Sequence, residues 1–69
     1  MVYKVTNGLR IRLARVKARV PSWLLARELE MQPSRLSTIE NDRWPVSPEE
    51  LENILAAIGR LSQQAGGAA

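Results

Sequence analysis

Residues 31–44 read MQPSRLSTIENDRW. Pro33 has no N–H and a fixed φ, so it suits the first turn of a helix. Leu36 and Ile39, three apart, share one side of that helix, and Ser34, Ser37 and Thr38 fall on the other. Asn41 tolerates the left-handed backbone that ends helices. The stretch predicts a short helix from Pro33 to near Asn41 that turns small hydroxyls outward and keeps its charges at the edges. A basic chain that presents Ser and Thr rather than Lys and Arg poses the question of what that face meets.

Working upstream, PSWLLARELE over 21–30 places Leu25 and Leu29 at i, i+4 with Ala26 beside them, and predicts a helix over about 21–29. Pro21 stops the preceding pattern at Val20, and Met31-Gln32 make a tight connection. Two short helices joined by about three residues form the helix-turn-helix pattern, whose second helix enters a DNA major groove. An earlier helix is predicted over about 8–19, capped by Thr6 or Asn7. It has two apolar stripes: Leu9, Leu13, Val16 and Val20 on one side, Ile11, Ala14 and Ala18 on the other, with cations between. The plain expectation is that both stripes are buried in a small bundle; the alternative is that one meets the core and the other a second subunit or a terminal segment. Residues 1–6 read as an arm or a short strand.

Downstream, SPEE is a helix start: Ser47 as N-cap, Pro48 at the first position, and Glu50 to complete a capping box. Leu51, Ile54, Leu55 and Ile58 supply the buried face, with an end at Gly59 or fraying to about Gln64, then a flexible tail over 65–69. The expectation is one all-α domain over 1–69, a small four-helix bundle with five helices as a variant. Trp44 is expected over the core beside Pro45, on DNA, or at a subunit contact. Trp23 either covers the surface of the basic helix or anchors an interface.

Composition narrows the function. The chain has no Cys and no His, so no disulfide, no thiolate metal site and no imidazole base, which fits a reducing cytoplasm and no cofactor. The net charge is +3, yet residues 1–20 hold Lys4, Arg10, Arg12, Arg15, Lys17 and Arg19 and no acid. Residues 41–69 set Arg43 and Arg60 against Asp42, Glu49, Glu50 and Glu52. Such asymmetry suggests a polyanion partner. No Gly-rich phosphate loop is present and no Ser has a base beside it, which argues against an enzyme. The cations of the first helix split between two flanks rather than forming one polar face, which argues against a membrane-surface helix, and no apolar run reaches the roughly 18 residues of a span.

The order of these pieces resembles the Cro/repressor-type helix-turn-helix family of phage repressors and bacterial regulators, the lambda-repressor-like fold. IRLARVKARVPS is similar to that family's first helix and the lead into its second. LLARELEMQPSRLSTIENDR is similar to its helix-turn-helix, with Ser37-Thr38-Ile39-Glu40-Asn41-Asp42 at the typical S-x-x-E-N-G ending, and SPEELENILAAIG is similar to the helix after it. The resemblance covers about residues 9–58. It implies a salt bridge between Arg15 and Glu40, base reading by Gln32, Pro33, Ser34, Ser37 and Thr38, and phosphate contacts by Ser22, Asn41 and Arg43.

The departures carry expectations too. Pro33 cannot donate to a base and offers only apolar contact. Arg19 replaces a turn Gly, so a full helical turn is expected at the exit of the first helix. Glu30 stands where a Gly at positive φ is usual and would be strained there, whereas Asp42 tolerates that geometry better. The family's fifth helix, which often supplies the dimer contact, has no counterpart here, so the N-terminal segment or the second stripe of the first helix is expected to take its place.

The hydroxyls then have a role. Short side chains let a helix approach base edges closely, and Ser or Thr can donate to or accept from several bases. Charge belongs at the rim, where Arg35, Arg43 and the basic face of the first helix reach phosphates. The expected activity is transcriptional regulation, by a cytoplasmic or nucleoid repressor that binds double-stranded DNA as a homodimer. The alternatives are an antitoxin-type autorepressor, or an adaptor that uses this fold to bind a protein.

Overall fold

In the computed structural model, which describes residues 5–67, the chain forms α1 (Asn7–Lys17), α2 (Ser22–Glu28), α3 (Pro33–Glu40) and α4 (Pro48–Gly67), with no strand among the described residues. This is the all-α, four-helix arrangement expected. Residues 1–4, where an arm or strand was expected, lie outside the described residues; Val5 and Thr6 lead into α1 in coil.

Each helix begins where a side chain or a Pro relieves its unpaired N–H groups. Thr6 caps α1 by accepting from Leu9 N–H at 3.2 Å, and Asn7 is already the first helical residue. Pro33 occupies the first turn of α3, and its N-cap residue Gln32 makes no side-chain cap bond. At α4 the Ser47 hydroxyl accepts from Glu50 N–H at 3.1 Å. The reciprocal half of the expected capping box is replaced: the Glu50 carboxylate accepts from Arg35 Nη2 at 3.5 Å instead.

Three helices end in the same way. Arg19, Glu30 and Asp42 follow the last residues of α1, α2 and α3 in left-handed backbone, with φ of 59°, 54° and 62°. At each exit the left-handed residue donates its N–H to a carbonyl three back, and the next residue donates to one five back. Arg19 N reaches Val16 O and Val20 N reaches Arg15 O, both at 3.0 Å. Glu30–Arg27 (3.1 Å) and Met31–Ala26 (2.9 Å) repeat this after α2, and Asp42–Ile39 (3.1 Å) and Arg43–Thr38 (3.0 Å) after α3. This is the Schellman motif, which satisfies carbonyls the helix leaves unpaired. The full helical turn expected at Arg19 is therefore not made. Two backbone bonds and burial of Val20 offset the roughly 1–2 kcal/mol that a left-handed Cβ costs.

The four helices bury Ile11 from α1, Leu25 and Ala26 from α2, Leu36 and Ile39 from α3, and Leu51, Ile54, Ala57, Ile58 and Leu61 from α4, with Val20 between α1 and α2. Burying a large aliphatic side chain contributes about 1.5–3 kcal/mol. The burial of α1 on both sides that was expected is not made. The Ile11–Ala14–Ala18 side faces this core, while Leu13 and Val16 of the other stripe remain 56% and 59% exposed, because the bundle has no element to cover them among the described residues. α1 packs on α3 and α4, and α2 packs on the same two helices.

Helix α4 passes through Gly59 and runs to Gly67, beyond the end expected at 59–64 and into the stretch read as a tail over 65–69. Leu61, three residues after Ile58 and buried, extends the apolar face, and a Cβ at Gly59 would meet nothing within 4 Å. Trp44, for which a core position was one expectation, is 49% exposed, and Trp23 is 58% exposed.

Candidate nucleic-acid interface

Two polar ties hold α3 against α1. Arg15 meets Glu40 in a fork, Nε to Oε2 at 2.8 Å and Nη2 to Oε1 at 3.0 Å. The third nitrogen, Nη1, donates to Val20 O at 3.2 Å. The side chains are 16% and 8% exposed, so each charge is largely out of water and answered by the other. This ion pair was implied by family resemblance; the second tie was not foreseen. The Asp42 carboxylate accepts from Thr6 Oγ1 at 2.7 Å and from Gly8 N–H at 3.1 Å, which places a negative charge on the N-terminus of α1. Gly8 is buried there, and a Cβ at this position would collide with Ile39 O and Asp42 Oδ1 and come within 2.9 Å of Glu40 O. A Gly in the first turn of a helix was the available signal, but its partner lies 34 residues away.

With its apolar side fixed, α3 turns Ser34, Ser37, Thr38 and Asn41 outward at i, i+3, i+4 and i+7. Gln32, Pro33, Ser34 and Ser37 are exposed and Thr38 is half-buried. The Thr38 hydroxyl donates to Ser34 O at 2.8 Å, so it has only acceptor capacity left for a base. The Asn41 amide nitrogen donates to Ser37 O at 2.8 Å and approaches Ser37 Oγ at 3.4 Å, which leaves its carbonyl oxygen turned out. The result is a low polar ridge with no bulky side chain on it.

Arg35 lies on the flank of this ridge. Besides its contact with Glu50, its guanidinium carbon sits 5.5 Å from the centroid of the Trp44 ring. Both contacts are solvent-exposed, with Arg35 at 47%, so each is worth about 1 kcal/mol at most. Arg43 is exposed in the α3–α4 loop.

Ser22, Ser37 and Asn41 come together, with Arg12, Arg15 and Glu40, around an open cleft of about 280 Å³ between α1, the start of α2 and the end of α3. Arg35 and Arg43 are not among its lining residues. Arg12 was not named singly among the expected site residues and entered only as part of the basic face of the first helix. It precedes Arg15 by three residues and so shares its side of α1; unlike Arg15 it is exposed and makes no ion pair among the described residues. With Arg15 and Glu40 neutralising each other, the cleft carries the uncompensated positive charge of Arg12. No group of residues that could hold a metal ion occurs among those described.

A short, hydroxyl-faced helix set across a second short helix, flanked by a cationic cleft, defines the helix-turn-helix class. The model of a helix-turn-helix domain family, of the XRE/Cro type, matches residues 8–65, and the chain belongs to that family. Membership points to a DNA-binding regulator, and such families are typically non-enzymatic. Comparison with curated proteins and with solved structures gave no significant match. No helix among the described residues is long and apolar enough to cross a membrane.

Proposed function

We propose that this chain is a sequence-specific double-stranded DNA-binding transcriptional regulator, a phage or bacterial repressor that acts in the cytoplasm or nucleoid as a homodimer and occludes a promoter. The observation that carries the reading is the exposed Ser34–Ser37 ridge of α3 beside the Arg12–Ser22–Asn41 cleft. α3 enters the major groove, which admits a helix and displays a distinct donor and acceptor pattern for each base pair. Gln32, Pro33, Ser34, Ser37 and Thr38 face base edges. Ser22 and Asn41 take phosphate oxygens, joined by Arg12, with Arg43 and Arg35 at the rim. For Arg35 this requires releasing Glu50, a weak exposed contact.

Ser and Thr alone give modest discrimination, so bound water and DNA shape supply part of the specificity. Two copies read half-sites about 34 Å apart, one helical turn. The dimer contact falls to the N-terminal segment, since a second copy on the outer stripe of α1 would bring cation against cation. An antitoxin-type autorepressor would use the same DNA surface. Exposed Leu13 and Val16 favour, as a second reading, a protein-binding adaptor.

The experiment is selection of bound duplexes from a random-sequence pool at two salt concentrations. Enrichment of a palindromic or repeated site supports the regulator and reports its half-site spacing. Binding that vanishes with salt and enriches no sequence refutes it.

A further inference from the structure

The DNA reading leaves one face of α1 unused. Around the helix, at about 100° per residue, Val16, Leu9 and Leu13 lie between Arg12 on one side and Lys17 and Arg10 on the other. Arg12 lines the cleft against α2 and α3. Arg10 and Lys17 lie about 140–160° round from it, on the side away from that cleft. Both are exposed and neither makes an ion pair among the described residues. Leu13 and Val16 beside them are 56% and 59% exposed, while Leu9 is half-buried. An exposed apolar strip with a cationic border that faces away from the phosphates is not explained by DNA binding.

We infer that this outer face of α1 docks an acidic amphipathic helix of a partner protein. α1 carries no carboxylate, so its border can be answered only by acids from elsewhere. The α1 helix of a second copy does not supply them. If two α1 helices packed strip to strip in antiparallel symmetry, Arg10 and Lys17 would meet their own copies. In parallel symmetry they would meet Arg12. Either pairing desolvates like charges against each other. A helix with an apolar ridge bordered by Glu or Asp fits both features: its ridge covers Leu13 and Val16, and its acids meet Arg10 and Lys17.

The test uses the full chain and a labelled synthetic helical peptide with Leu at i, i+4 and i+7 bordered by Glu, titrated by fluorescence anisotropy. The double variant Leu13→Ser/Val16→Ser is expected to weaken binding at least about tenfold, because several buried carbons are lost. It should retain its helical circular dichroism and its affinity for duplex DNA. The variant Arg10→Glu/Lys17→Glu is expected to lose the Glu-bordered peptide and to gain the same peptide with Lys in place of Glu.

Three kinds of result overturn the inference. One is equal binding of a scrambled peptide, or none of the ordered one. Another is a homodimer, seen in sedimentation equilibrium, that dissociates in the Leu13→Ser/Val16→Ser variant, since a second copy is then the occupant. The third is a gain of about tenfold or more on deletion of residues 1–4, which makes the chain's own N-terminal segment the occupant.

Discussion

Three residues that follow helices occupy backbone that favours glycine, and none is glycine: Arg19, Glu30 and Asp42. The first two make no side-chain hydrogen bond among the described residues, so their left-handed conformation is uncompensated locally. Arg19→Gly and Glu30→Gly should each stabilise the fold by about 0.5–1 kcal/mol, the steric relief less the entropy glycine adds to the unfolded chain, as read by urea unfolding. Asp42→Gly should do the opposite and cost about 1 kcal/mol or more, because it removes the acceptor of Thr6 and Gly8. Equal effects at all three sites would refute the role given to the Asp42 carboxylate. For the forked pair, Glu40→Ala should cost about 3 kcal/mol by stranding the Arg15 charge, measured in the same unfolding experiment.

At the level of elements, the helix starts were legible because their chemistry is local: Pro33 and the Ser47-Pro48 pair act within one turn. The outward Ser34, Ser37 and Thr38 were legible for the same reason, as 3.6-residue periodicity sorts them from Leu36 and Ile39. Helix ends were legible only in part: α3 ends near Asn41 as expected, though the left-handed residue is Asp42, whereas the exit of α1 and the run of α4 past Gly59 were not. Arg19 and Glu30 look like poor left-handed residues, and only the burial of Val20 and the paired backbone bonds explain their exits. Gly59 looked like a stop because glycine is a poor helix former, but the buried Leu61 two residues on outweighs that preference. Arg12 was not singled out from the basic face of the first helix, because its importance comes from the cleft that α2 and α3 build against it. The juncture of α1 and α3 is tight enough to test directly. Gly8→Ala should cost about 1–3 kcal/mol through overpacking against the end of α3, whereas Gly59→Ala, in open space, should stabilise α4 by about 1 kcal/mol. Thermal unfolding of the two variants should therefore shift in opposite directions.

For the molecule as a whole, contacts to DNA divide into those that feel salt and those that read sequence. Arg12→Ala should weaken binding to all duplexes alike and lower the slope of log affinity against log salt by about 1. Ser37→Ala should leave that slope unchanged and alter which sites are selected. A slope unchanged by Arg12→Ala would remove the cleft from the DNA surface. The ties between α1 and α3 have a consequence in time as well as in energy. Thr6 and Gly8 hold one side of the juncture, Asp42 and Glu40 the other, and Arg15 closes it from the last turn of α1. To expose the amides of α3, the chain must part both polar ties together with Leu36 and Ile39, which approaches global unfolding. In deuterated solvent the α1 and α3 amides should then exchange together and last, while the turns of α4 beyond Leu61 exchange early. On the proposed function, α3 would thus meet DNA as a preformed blade, with its ordering already complete before encounter.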